Sequence, residues 1–111
     1  MSKVKENESQ IVSAICDYLA ARRHFFWRQN TTPAVQKSED GWAFRRMPKH
    51  SLKGVLDIIL IKEGGQFGGL EVKRSGGKAS PEQLEFQRRV HERGAAYCIV
   101  TSIDDVQALG L

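Results

Sequence analysis

The stretch Val55-Leu-Asp-Ile-Ile-Leu-Ile61, followed after Lys62-Glu-Gly-Gly-Gln66 by Phe67-Gly-Gly-Leu-Glu-Val-Lys73, decides the fold. A run rich in β-branched residues, a glycine turn and a second strand-forming run predict a β-hairpin. Gly68 and Gly69 inside the second run mark either a bulge or the close approach of another group. An aspartate within VLDIILI is out of place, because burying an unpaired carboxylate is costly unless something neutralises it. On the second strand Glu71 and Lys73 are two residues apart and project from one face, with Val72 on the other. A turn near residues 63–66 brings Asp57 beside residues 71–73, so that two carboxylates and one ammonium converge on a small patch of sheet.

Downstream, Ser80-Pro-Glu-Gln83 has the form of a capping box with proline at the first helical position, opening a helix that Gly94 can close. Tyr97-Cys-Ile-Val-Thr101 reads as a buried strand, and strand, helix and strand in this order predict a crossover that makes it parallel to Phe67–Lys73. Ser102-Ile-Asp-Asp105 starts a short terminal helix. Upstream, Ile11, Val12, Ile15 and Leu19 recur at helical spacing and predict a helix from about Glu6 or Asn7 to about Arg22. The aromatic segment His24–Gln29 reads as a short strand. Residues 30–53, with Pro33, Pro48 and Gly41, are the least regular; a partly mobile loop is expected there, with Trp42–Arg46 as a candidate strand. The expectation is a single α/β domain over 1–111, a mixed central sheet flanked by helices in the order α-β-(β)-β-β-α-β-α.

A chain of 111 residues allows one core and no separate regulatory module. Its net charge of +4 is unevenly placed: from Trp42 to Lys78 there are eight Lys or Arg against three Asp or Glu. That is the footprint of a phosphate-backbone binder, or simply of a solvated basic face. The apolar run Val55–Ile61 is far too short to cross a bilayer, and MSKVKENESQ lacks the apolar stretch of a signal peptide, so no membrane partner and a cytoplasmic location are expected. Cys16 and Cys98 form no ligand cluster and read as reduced, mostly buried thiols.

Hard divalent cations such as Mg²⁺ take carboxylate, carbonyl and water oxygens, which Asp57, Glu71 and the backbone carbonyl of Val72 can supply. Lys73 alongside can activate a water or offset charge on a pentavalent phosphate transition state. The plainer account, a Lys73 ion pair with one acid, leaves the other acid uncompensated. Glu8 shares the helical stripe of Ile11, Val12 and Ile15 and is expected to point inward, where it reaches the metal site or simply complements the helix dipole. Gln83 aligns with Phe86, Gln87 and Val90; it serves the site or closes its capping box.

This ordered set resembles the PD-(D/E)xK nuclease superfamily and, more narrowly, its VRR-NUC group: Glu8, Gly54-Val-Leu-Asp57, Glu71-Val-Lys73, Ser80-Pro-Glu-Gln83 and the strand Tyr97–Thr101. The resemblance implies a restriction-endonuclease-like core, Mg²⁺ or Mn²⁺ bound by Asp57 and Glu71, Lys73 as the catalytic lysine, and supporting roles for Glu8 and Gln83. Leu56 stands where the superfamily motif has proline, a backbone convenience and not a ligand. Stand-alone members resemble Holliday-junction resolvases, which implies a structure-selective DNA endonuclease acting on branched DNA as a homodimer, because two symmetric cuts call for two sites across a two-fold axis.

Arg28, Arg45, Arg46, Lys49, Lys53, Arg74 and Lys78 are candidates for phosphate contacts, which position a substrate without reading its sequence. Trp27 and Trp42 can stack on unpaired bases or belong to a core or interface. His24, His50 and His91 share no metal-ligand spacing. Two rivals stand beside this reading. A nuclease acting on flaps, duplex or single strands needs the same residues. A non-catalytic nucleic-acid-binding module leaves Asp57 and Glu71 unexplained, since acids repel phosphate unless a cation intervenes.

Overall fold

The computed structural model describes residues 7–29, 35–38, 41–44, 49–50, 52 and 55–111. Helix α1 (Glu8–Ala21) starts at a capping box in which Asn7 and Gln10 satisfy each other's backbone amides. Strand β1 (Phe25–Arg28) follows, then a two-stranded antiparallel ribbon of β2 (Val35–Ser38) and β3 (Gly41–Phe44). Strand β4 (Ile58–Ile61) and strand β5 (Phe67–Val72) form the expected antiparallel hairpin, joined by a 3₁₀ turn at Glu63–Gly65. Gly64 and Gly65 there have φ of 85° and 82°, a left-handed conformation that glycine adopts without a Cβ penalty. Helix α2 (Pro81–Glu92) leads to β6 (Ala96–Val100), which lies parallel to β5, and α3 (Ile103–Ala108) ends the fold.

Among the described residues the result is an α/β fold with a mixed four-stranded sheet, ordered β1-β4-β5-β6, and three helices. Alternation along the strands separates two packing layers. Ile58, Leu60, Leu70, Val72 and Val100 face α1 and α3, meeting Ile11, Val12, Ile15, Leu19 and Val106 in the larger core. The opposite face carries Ile59 and Tyr97, which with Leu56 meet Phe67 and, from α2, Phe86 and Val90. The segment expected to be irregular holds a ribbon in place of a single candidate strand: local pairing of Val35–Ser38 with Gly41–Phe44 satisfies backbone groups that the Pro and Gly pattern had suggested were left in a loop. Arg45 and Arg46 of the candidate strand lie outside the described residues. No helix among the described residues is long and apolar enough to cross a membrane.

Of the two readings of Gly68-Gly69, close approach is the one realised, since β5 runs in unbroken register with both neighbours. A Cβ added at Gly69 would lie 1.9 Å from Leu56 Cδ1 and 2.9 Å from its Cγ. Leu56 is fully buried, so it has nowhere to retreat. Gly69→Ala is expected to destabilise the protein by about 2 kcal/mol through overpacking, and to cost far less in a Leu56→Ala background. Urea unfolding of the two single variants and the double variant measures this, and additive losses would refute the contact.

Candidate active site

The strand register lays out three rows on the sheet face that α2 covers. Phe25, Ile61 and Phe67 form one, and Trp27, Ile59, Gly69 and Tyr97 the next. Continued by one residue, the same register gives Gln29, Asp57, Glu71 and Ile99, with the Gln29 amide donating to the Asp57 carbonyl at 2.8 Å. Asp57 and Glu71 therefore meet because they are one pairing step beyond a regular hairpin, with Lys73 two residues further along the same face.

Each acid is held differently. Asp57 is half-buried and its Oδ2 accepts from the Val72 amide at 2.7 Å, replacing a ladder partner that the strand end lacks. Glu71 is only 3% exposed. Its Oε1 accepts from Gln83 Nε2 at 2.5 Å and lies 3.6 Å from Lys73 Nζ, while its Oε2 is buried without a hydrogen-bond partner. Burial, reinforced by the negative charge of Asp57 and only partly offset by Lys73, pushes the Glu71 carboxyl up to about 8. The Lys73 contact thus does not by itself neutralise the pair: one ammonium faces two acids, and one oxygen of Glu71 is left over.

Gln83 resolves the choice between capping and site by doing both. Its amide donates to Ser80 Oγ at 3.1 Å and its Oε1 accepts from the Ser80 amide at 2.8 Å, closing the box, while Nε2 is free to reach Glu71. Gln10 occupies the same place in the box that opens α1, but in a fully exposed setting. Gln83→Ala is expected to cost about 2 kcal/mol and Gln10→Ala about 1 kcal/mol, because only the first also strips a hydrogen bond from a buried carboxyl. Denaturant midpoints compare them; equal losses would mean that Gln83 acts as a cap alone.

Glu8 is exposed at the start of α1 instead of turned inward. The stripe it was expected to share packs on the sheet face opposite to Asp57 and Glu71, and no group of three or more His, Cys, Asp or Glu side chains among the described residues is placed to hold a metal. The structure therefore brings together Asp57, Glu71, Lys73 and Gln83, but not Glu8. Val72 lies beside Asp57 through its backbone, its side chain buried in the larger core. Arg28, Lys49, Arg74 and Lys78 are exposed; Arg45, Arg46 and Lys53 lie outside the described residues.

Tyr97 was legible only as a member of a buried strand. Its phenol is buried without a hydrogen-bond partner, and burial together with the charges of Glu71 and Asp57 raises it above the usual phenol range. The sequence signal was a hydroxyl in an otherwise apolar strand, which by itself does not say which face it takes. His91 contributes structure: its Nε2 lies 3.1 Å from the Tyr97 carbonyl, tying α2 to β6.

The class of protein these features define is a mixed α/β domain with an acid pair and a lysine at the end of a hairpin. Comparison with protein-family models, curated proteins and solved structures gave no match.

The acid pair fits a divalent cation. Two carboxylates completed by water and phosphate oxygens are what Mg²⁺ ordinarily takes, and the partnerless Glu71 Oε2 is a buried acceptor that such a cation or its water can fill. The same cation would offset the burial and the Asp57 repulsion that together hold the Glu71 proton so tightly.

Proposed function

We propose that this chain is a metal-dependent nuclease that hydrolyses DNA phosphodiester bonds. The observation that carries the reading is the convergence of Asp57, Glu71 and Lys73 at one strand end, with Gln83 bonded to the buried acid. Asp57 and Glu71 would hold Mg²⁺ or Mn²⁺, which when bound polarises a phosphoryl oxygen and lowers the pKa of a water. Lys73, 14% exposed along its side chain, presents an ammonium where negative charge grows on phosphorus as water attacks and the P–O bond breaks. Gln83 and the Val72 amide fix the orientation of the two acids, so that little reorganisation is required at the moment of reaction.

The sheet order and the placement of helices on both faces support assignment to the restriction-endonuclease-like core, and the ordered motif supports the VRR-NUC group. On that assignment the substrate is branched DNA, the four-way junction in particular, cut by a homodimer, with the basic middle segment contacting phosphates. Incubating the protein with labelled junction, flap, duplex and single-stranded DNA, in Mg²⁺, in Mn²⁺ and in EDTA, tests the activity and its substrate together. Absence of metal-dependent cleavage on all four substrates would remove the enzyme reading. Preference for flaps or ends over junctions would keep the nuclease and discard the resolvase-like form, as would a monomeric mass by light scattering at micromolar concentration.

A further inference from the structure

Helix α2 covers only half of its sheet face. Phe86 and Val90 seal Tyr97 and Ile59, but toward the β1 edge Phe25 is 67% exposed, Trp27 38% and Ile61 37%. These residues belong to the two rows next to the one holding Asp57 and Glu71. The Phe25 and Trp27 ring centroids are 5.9 Å apart with planes inclined at 51°, so both rings stand out from the edge strand. The indole is fixed toward the acid pair: Trp27 Nε1 donates to Gln29 Oε1 at 3.2 Å, and the Gln29 amide donates to the Asp57 carbonyl. A two-residue step along a strand is about 7 Å, roughly one nucleotide of an extended strand.

Charge identifies the occupant. The segments 22–29 and 58–62 that carry the patch contain Arg22, Arg23, Arg28 and Lys62 and no acidic residue. The core of a protein–protein contact is depleted of charge, whereas exposed aromatic rings on an edge strand flanked by arginines are the usual platform for a single-stranded nucleic acid.

We infer that Phe25 and Trp27 form a stacking platform for unpaired bases of the DNA strand that enters the acid pair. The inference rests on the nuclease reading for its choice of polymer but not on the four-way junction, whose bases are all paired: it makes the site selective for substrates with unpaired bases beside the scissile phosphate, such as flaps and single strands. Duplex DNA, whose bases are already stacked, gains nothing from it.

The test is fluorescence anisotropy in EDTA, where no cleavage occurs, with a labelled oligothymidylate and a blunt duplex of equal length. Wild type is compared with Trp27→Leu, Trp27→Phe and Phe25→Ala, and all four are weighed by light scattering. Trp27→Leu and Phe25→Ala are expected to weaken oligothymidylate binding about tenfold each and to leave duplex binding unchanged, with Trp27→Phe recovering most of the loss. Equal losses on both DNAs, no loss, or leucine serving as well as phenylalanine would overturn the platform. So would conversion of a dimer into monomers by either truncation, which would make the patch a protein interface. Because binding is read without metal, failure of the platform is distinct from failure of the nuclease reading, which shows as absent cleavage by wild type.

Discussion

Replacing Lys73 with alanine is expected to lower metal-dependent DNA cleavage about a thousandfold while leaving DNA affinity within about threefold of wild type. Lys73 is the only cation within ion-pair distance of the acid cluster among the described residues, and its side chain is largely enclosed. On the nuclease reading, an ammonium there would act through a low-dielectric surrounding, where it would be worth far more to a developing phosphorane charge than an exposed lysine such as Lys78 would be to a resting phosphate. Asp57→Asn is expected to be equally severe for a different reason: the carboxamide can still sit beside the Val72 amide but carries no charge for a cation. Single-turnover cleavage of junction DNA with parallel binding in Ca²⁺ separates rate from affinity. A Lys73→Ala or Asp57→Asn enzyme that cuts at the normal rate would show that the cluster is structural.

The second large effect concerns pH and metal together. In the folded, metal-free protein the Glu71 carboxyl titrates at about 8, well above its unfolded value of 4.5, because it is buried beside Asp57. The folded state therefore binds this proton more tightly than the unfolded chain does. The associated stability is fully present below the unfolded value and is lost as pH rises through the folded one. Melting temperature in EDTA is expected to fall between pH 5 and about 8, and Glu71→Gln, which keeps an uncharged group in place, is expected to flatten that decline. Saturating Mg²⁺ or Mn²⁺ should raise the melting temperature more at pH 8 than at pH 5, since a cation must displace the proton to bind. A wild-type profile that rises with pH over this window would contradict both the burial argument and the metal assignment.

Much of the architecture was legible because periodicity and end signals report directly on local geometry. The stripe Ile11, Val12, Ile15 and Leu19 is the buried face of α1, and the capping box Ser80–Gln83 stands at the start of α2. The β4–β5 hairpin and the parallel β5–β6 pairing followed from the glycine turn and from the helix between the last two strands. The hairpin also placed Asp57 beside Glu71, since the odd residues of its two strands share a face. The ribbon of β2 and β3 was not legible, because the Pro and Gly signals that delimit a loop delimit a short hairpin equally well.

By itself the sequence determined which residues carry charge inside apolar strands, and hence that Asp57, Glu71 and Lys73 needed one another. It also determined that Gln83 begins a helix. Only the tertiary structure decided that the same glutamine reaches Glu71, and that Glu8, at an equally regular helical position, is exposed on a helix packed against the other face. Helical spacing gives a side chain's direction around its own axis, but the side of the sheet on which that helix lies is a property of the long-range packing of α1 and α3 against β4 and β5. The same packing left the β1 half of the α2 face open. Nothing in the local sequence of Phe25 and Trp27 distinguishes rings buried under a helix from rings that stand clear of it, because exposure depends on how far α2 extends across the sheet.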